Sequence, residues 1–280
     1  MLSQDAPPKM PPPAHQRARG CAEVAFTRRE GATRLDRLYQ AGCAKALLPR
    51  THGADPEIVL INTAGGVTGG DRIDYGITAG PGSRLVATTQ AAERIYRAAE
   101  GSARIETRLQ LGPGARLDWL PQETILFDGG RLTRRLQADL AEDATLTALE
   151  MLMFGRAAMG ESVATGALSD TWEIRRGGRL VHMESLRVVG DIARALAGSA
   201  TLAGNRALAT LVVAGPDAGD RLMAARAWLA QLDGVLAAAS AKDDVLILRF
   251  LAPDLTPLRA ALTRFLMAFR SVGLPRVWTA

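Results

Sequence analysis

Three stretches of this chain follow one scheme of strand, tight turn, small residue, any residue, leucine, strand. They are "ITAGPGSRLVAT" (77–88), "LQLGPGARLDWL" (109–120) and "ADLAEDATLTAL" (138–149), at offsets of 32 and 29 residues. Glu93-Arg94-Ile95 and Glu123-Thr124-Ile125 also correspond upstream of the last two. Recurrence near 30 residues implies β-units stacked so that each covers its neighbour's open face, either as a β-helix-like solenoid or as layered sheets. Ordinary hairpins reuse the same Gly-Pro-Gly and Leu chemistry, so a plain series of hairpins is the competing reading. From Gly20 to about Arg187, short runs such as "AEVAFT", "EIVLIN", "RIDYGIT", "ARIETRLQL", "LTALEML" and "TWEIRR" mostly alternate apolar with polar residues. That is the period of half-buried strands.

After about residue 205 the pattern changes. "ALATLVVAG" reads as a strand and "DRLMAARAWLAQLDG" as a helix with Leu222, Ala225, Leu229 and Leu232 on one face. "VLAAASA" and "VLILRFLA" read as two more strands, and "TPLRAALTRFLMAFRSVGLP" as a second helix. Thr256 is placed to cap that helix, Pro257 fits its first turn, and Gly273 with Pro275 is expected to stop it. The expected fold is therefore mainly β with a minor α part: stacked β-sheets over residues 19–205, then a β-α-β-β-α unit over 206–280. No Pro/Ser/Gly linker separates the two, so the second should pack on the first. Residues 1–18, with five prolines, read as a disordered tail rather than a signal peptide.

Composition narrows the function. No run approaches the ~18 apolar residues of a spanning helix. Two cysteines, Cys21 and Cys43, make no disulfide framework in 280 residues, which suits a reducing cytosol. The net charge is +5, but only three of the 34 basic residues are lysines and carboxylates are interspersed among the arginines. With 5% aromatic residues, a base-stacking nucleic-acid platform is excluded as the first reading, while a modest positive field suits an acidic protein partner.

The glycine-rich loop "NTAGGVTGGDRIDYGIT" (62–78) has the Gly65–Gly70 spacing of a phosphate loop. Asp71 stands where the lysine belongs, and a strand rather than a helix follows, which removes both nucleotide readings. His15, His52 and His182 are far apart and form no zinc signature. Ser162 lacks a nucleophile elbow, and Glu123 with Asp128 reads as two ends of a turn rather than a glycosidase pair. What remains are the carboxylates Asp71, Asp74, Glu93, Glu123, Asp128, Glu150 and Glu161, which bind borderline metals weakly and suit passage better than storage. Asp71 either caps its turn or faces a polar interior. Glu150 alternates with apolar neighbours and so points inward, where it needs an arginine or a hydrated channel. Arg156 and Glu161 bracket a loop as an ion pair or as a partner contact, and Trp278 reads as a core or interface anchor.

The motifs "NTAGGVTGGDRI", "ATTQAAERIYRA", "LDWLPQETILFDGG", "LEMLMFGRAAMGE", "RLVHMESLRVVG" and "LPRVWT" occur here in the order seen in the urease accessory proteins UreD, called UreH in some bacteria. The chain resembles that family from about residue 20 to its C-terminus. It departs at "AGCAKALLPR" (41–50), where members often carry "GPL" and a proline, and at Thr63, where they carry proline. The resemblance implies stacked β-sheets with a pair of helices and a scaffold with no catalysis of its own. It implies docking on urease apoprotein, recruitment of UreF and through it the GTPase UreG, and transient passage of Ni(II) with no tightly bound cofactor. On that reading Asp71, Glu123, Glu150 and Glu161 line a polar passage, and Arg156 and Trp278 serve partners. The alternative is a β-solenoid-like protein-binding module with no metal role.

Overall fold

A computed structural model of the protein describes residues 16–50, 55–156, 159–270 and 273–279. The segment read as a tail lies outside them as far as residue 15, as do His15 and His52. In chain order the strands are β1 (Arg19–Arg29), β2 (Ala32–Gly42), β3 (Ala44–Leu47), β4 (Glu57–Asn62), β5 (Arg72–Ala79), β6 (Arg84–Thr89), β7 (Glu93–Ile95), β8 (Ala103–Leu111) and β9 (Arg116–Trp119). They continue as β10 (Thr124–Leu126), β11 (Arg131–Leu140), β12 (Thr145–Phe154), β13 (Gly166–Arg176), β14 (Arg179–Gly190), β15 (Ala207–Ala214), β16 (Leu236–Lys242) and β17 (Val245–Ala252). The helices are α1 (Ile192–Leu196), α2 (Leu222–Leu229), α3 (Leu255–Phe269) and α4 (Arg276–Thr279).

The repeat is the stacking register. One sheet runs β14-β13-β11-β8-β5-β1-β2, and the other β16-β17-β15-β12-β9-β6-β4-β3, with β10 beside β12 and β7 beside β10. The chain alternates between the sheets, and successive coils pair in parallel. Leu85 lies opposite Leu117 and Leu117 opposite Leu146, which are the offsets of 32 and 29 met in the sequence. These leucines point between the sheets, and Ser83, Ala115 and Ala144 at the corners are fully buried. The turns also stack. Gly82 N donates to Pro113 O at 2.8 Å, and Gly114 N donates to Asp143 Oδ1 at 2.9 Å, so an aspartate supplies the acceptor in the copy that lacks Gly-Pro-Gly. The short strands differ from the alignment by one residue: Glu93 pairs with Thr124 and Ile95 with Leu126. Burying both Ile95 and Leu126 decides that register, because a one-residue slip would turn each strand over.

The long parallel stacks are closed by antiparallel strands: β2 on β1, β14 on β13, β3 on β4 and β15 on β12. β2, "ATRLDRLYQAG", is an edge strand whose residues are mostly exposed. It has no burial alternation to read, and the sequence patterning does not reveal it.

β12 separates two cores. Leu146, Ala148, Leu152 and Phe154 face the first sheet, while Leu149, Met151 and Met153 face the helices with β15, β17, α2 and α3. The strands of the C-terminal unit therefore extend the second sheet, and its helices cover that sheet's outer face. Asp254, not Thr256, caps α3 by accepting from Leu255 N, which places Pro257 in the first turn. The helix stops at Phe269, ahead of Gly273, because Arg270 turns to extended backbone and its guanidinium is held by Asp118 at 2.6 Å. α2 likewise ends at Leu229, followed by turns and by Gly234 at φ +74°. No helix among the described residues is long and apolar enough to cross a membrane.

Phe250 is fully buried in the second core, edge-on to Phe265 at 5.7 Å. Phe250→Ala is expected to cost about 3–5 kcal/mol in urea unfolding of the full chain. A loss below ~1 kcal/mol would mean that the helices dock only loosely on the sheet.

Candidate functional site

The apolar faces of the two sheets are interrupted at one level by charge. On β11 the inward positions are Leu132, Arg134, Leu136, Ala138 and Leu140, so Arg134 enters the core by strand period alone and is only 5% exposed. Asp170 lies opposite it on β13 and receives a two-pronged contact, Nε–Oδ1 at 3.0 Å and Nη2–Oδ2 at 2.6 Å. Glu150 reaches across from β12 in the other sheet and accepts from Arg134 Nη1 at 2.5 Å. The same Nη1 donates to Thr124 Oγ1 at 3.0 Å, and Trp119 Nε1 donates to Glu150 Oε1 at 3.3 Å. Glu150 thus points inward and finds an arginine.

One guanidinium faces two carboxylates, and all three side chains are at most 8% exposed. Burial pushes the Glu150 carboxyl up, with Arg134 opposing and Asp170 adding to the rise. Burial acts to lower Arg134, but the two carboxylates outweigh it and hold the guanidinium charged.

A cavity of about 30 Å³ adjoins this centre, lined by Tyr75, Thr89, Glu93, Gln122, Arg134 and Glu150 among others. That is room for a water, which needs on the order of 10–15 Å³. A second pocket of about 110 Å³ reaches from Tyr75, Thr89 and Glu93 to Asn62, Gly65 and Gly66. Tyr75, Thr89 and Glu93 line both. Polar side chains therefore run from the glycine loop to Arg134. Glu93 accepts from Asn62 Nδ2 at 3.0 Å, has no cationic partner among the described residues, and is pushed by burial to about 7. The loop roofs this space. Tyr96 OH donates to Gly65 O at 3.2 Å, and a Cβ on Gly66, at φ +142°, would lie 2.4 Å from the Tyr96 ring. Close backbone approach explains that glycine.

The four carboxylates singled out from sequence are not brought together. Asp71 takes backbone N–H groups on both oxygens, Ala18 N on Oδ1 and Thr68 N on Oδ2, each at 2.8 Å. Glu123 pairs with Arg259 of α3 at 3.2 Å. Glu161 is held by Arg156 at 2.9 Å and by the backbone N–H of Asp128 and Arg156, and Arg156 lies 4.6 Å over the Phe127 ring. Trp278 is 4% exposed inside the second core, donating to Leu120 O at 3.0 Å beneath Arg259. Among the described residues no three His, Cys, Asp or Glu converge on a metal position. Arg134 and Asp170 were not singled out from sequence. The available signal was a charge on the apolar phase of a strand, Arg134 between Leu132 and Leu136, and Asp170 between Leu168 and Trp172.

The family of UreD urease accessory proteins matches residues 18–279. The chain belongs to the UreD family. It is 49% identical to the urease accessory protein UreD of Chelativorans sp. (strain BNC1) over 99% of this chain and 100% of the relative. It is 50% identical to that of Methylobacterium sp. (strain 4-46) over 89% of each, and 48% to that of Rhizobium leguminosarum bv. trifolii over 94% and 96%. Four of the six motifs that carry the UreD resemblance contribute to this site: the glycine loop roofs the pocket, "ATTQAAERIYRA" supplies Thr89 and Glu93, and "LDWLPQET" and "LEML" supply Trp119, Gln122, Thr124 and Glu150.

Two outcomes test the electrostatics. Glu93 has its folded value raised above the unfolded carboxylate value, so the native state holds more protons between roughly pH 4.5 and 7 and loses stability as pH rises through that window. Glu93→Gln is therefore expected to gain up to about 3 kcal/mol over wild type at pH 8 and less than ~1 kcal/mol at pH 5, read from urea unfolding at both values. Arg134→Met leaves two buried carboxylates unpaired and should cost about 3–5 kcal/mol, with partial recovery when Glu150→Gln and Asp170→Asn are added.

Proposed function

We propose that this UreD-family chain serves urease maturation in the cytoplasm, without catalysis of its own. It docks on urease apoprotein, links it to UreF and through UreF to the GTPase UreG, and passes Ni(II) as cargo through its interior. The observation that supports the passage is the polar lining shared between the surface pocket and the deep cavity at Tyr75, Thr89 and Glu93. Carboxylate and amide oxygens hold a borderline cation weakly, and Glu93, ionising near neutrality, offers a charge that a passing cation stabilises. Glu150 is the inner carboxylate on this route. Asp71, at the loop, Glu123, next to Gln122, and Glu161 enter the same proposal as polar residues beside it. Arg156 offers a partner its exposed guanidinium, while Trp278 acts from inside by fixing the C-terminal residues. The exposed Met223, Trp228, Leu236 and Met267 of α2, β16 and α3 give the C-terminal unit the apolar surface that a UreF contact would cover.

Co-expression with the urease subunits and the other accessory proteins tests this reading. Glu93→Gln and Glu150→Gln are expected to lower nickel per urease active site at least severalfold while the UreF complex still co-purifies. Full loading by these two and by amide variants of Asp71, Glu123 and Glu161 would rule out the passage. Met223→Glu with Met267→Glu is expected to abolish co-purification with UreF, and undiminished capture would remove that face from the interface.

A further inference from the structure

The outer face of the second sheet, on the side away from the Arg134 centre, carries a second cluster of charge. Arg84 of β6 and Arg116 of β9 are directly opposite one another in the parallel register, and Thr145 of β12 follows in the same row. The next outward row is Val86, Asp118 and Thr147. Arg221, ahead of α2, and Arg270, at the end of α3, close a pocket of about 140 Å³ over these rows, with Asp55 at its rim. Four guanidinium groups meet two carboxylates there.

Of the two carboxylates, Asp118 is already engaged, and Asp55 at the rim makes no side-chain hydrogen bond or ion pair among the described residues. Asp118 is held by Arg270 through Nε at 3.0 Å and Nη2 at 2.6 Å. Arg221 donates Nη2 to Phe269 O at 2.6 Å and lies flat on the Phe269 ring at 3.7 Å, which fixes its plane and leaves other N–H groups to be satisfied. Burial lowers the Arg221 guanidinium from its usual value; Asp118 opposes this and Arg116 adds to it. Arg84 and Arg116 make no side-chain hydrogen bond or ion pair among the described residues. Like charges directly across a strand pair are destabilising, and Arg84 and Arg116 are both exposed, so an anion bound between them would relieve a repulsion.

We infer that this pocket binds a phosphate-class oxyanion between Arg84, Arg116 and Arg221, with the Thr145 and Thr147 hydroxyls available to it. Guanidinium donors arriving from the sheet and from the helical unit surround a tetrahedral dianion better than they fit a planar monoanion, and charge-assisted bonds of this kind are the strong ones. The ligand is either free inorganic phosphate or the phosphate of a nucleotide. Because the sheet and the C-terminal helices both contribute, binding also clamps one to the other.

The test is calorimetric titration of the full chain with inorganic phosphate, with acetate and with a nucleoside 5′-monophosphate, at ionic strength matched with chloride. Phosphate is expected to bind and to raise the thermal midpoint. Arg116→Gln and Arg84→Gln should each weaken it about 10- to 100-fold, while the midpoint without phosphate stays level or rises because a repulsion has gone. That second readout separates lost binding from lost folding. Monophosphate binding at least about tenfold tighter than phosphate identifies a nucleotide as the source, and equal binding identifies the free ion; both support the site. Absence of phosphate binding, acetate binding as tight as phosphate, or phosphate binding unchanged in both variants would overturn it.

Discussion

Parallel pairing in register is the constraint on which this molecule depends. Once a coil of about 30 residues lies on the previous one, a residue's environment is set by the residues one coil before and one coil after. Leucine in one strand then requires leucine beside it in the next coil, as at 85, 117 and 146, and the small residues at the corners must remain small. The same rule concentrates chemistry. Arg134 and Asp170 meet because adjacent coils bring them side by side, and Arg84 and Arg116 meet on the opposite sheet for the same reason. Buried attraction and exposed repulsion here have a single geometric origin.

The charged centre between the sheets is hard to justify by stability alone. A buried ion pair often contributes less than well-packed apolar side chains of the same size, whereas removing one member is costly. Here one guanidinium serves two carboxylates, of which Glu150 is pushed up by burial, and the triad occupies a level where leucines lie above and below. Its position beside a small cavity and the nearly isolated Glu93 gives that expense a functional sense. Polar groups that hold one another in place keep their orientation before a ligand arrives, and under the proposed passage an entering cation meets them already aligned.

How much of this was legible in the sequence varies from one feature to the next. The mainly β fold, the stacking offsets and the strands on both sides of the C-terminal helices follow from alternation and from Gly-Pro-Gly spacing. β2 escaped because an edge strand with both faces open has no reason to alternate. The cap of α3 moved from Thr256 to Asp254 because two suitable residues lie within one turn, and only the entering backbone chooses between them. At the site, Glu150 was legible as a carboxylate on an apolar phase. Arg134 fits the same criterion but sits in "RLTRRLQADL", where several charges hide the one that faces in. The loose set Asp71, Glu123 and Glu161 shows the opposite problem: sequence reveals that a carboxylate has few charged neighbours in the chain, not that an arginine 136 residues away, Arg259, is its partner.

The antiparallel strands at the ends of each stack set the size of the molecule. A run of parallel coils has no intrinsic end, since each coil presents the edge on which another can form, including one from a second molecule. Reversing direction at β2, β3, β14 and β15 breaks that template, because the next parallel coil no longer finds a matching donor and acceptor pattern. Charged Arg34, Asp36 and Arg37 along β2 discourage the antiparallel addition that remains. The fold is in this sense a filament architecture held to a finite length, and its growth beyond one chain is left to surfaces other than its sheet edges.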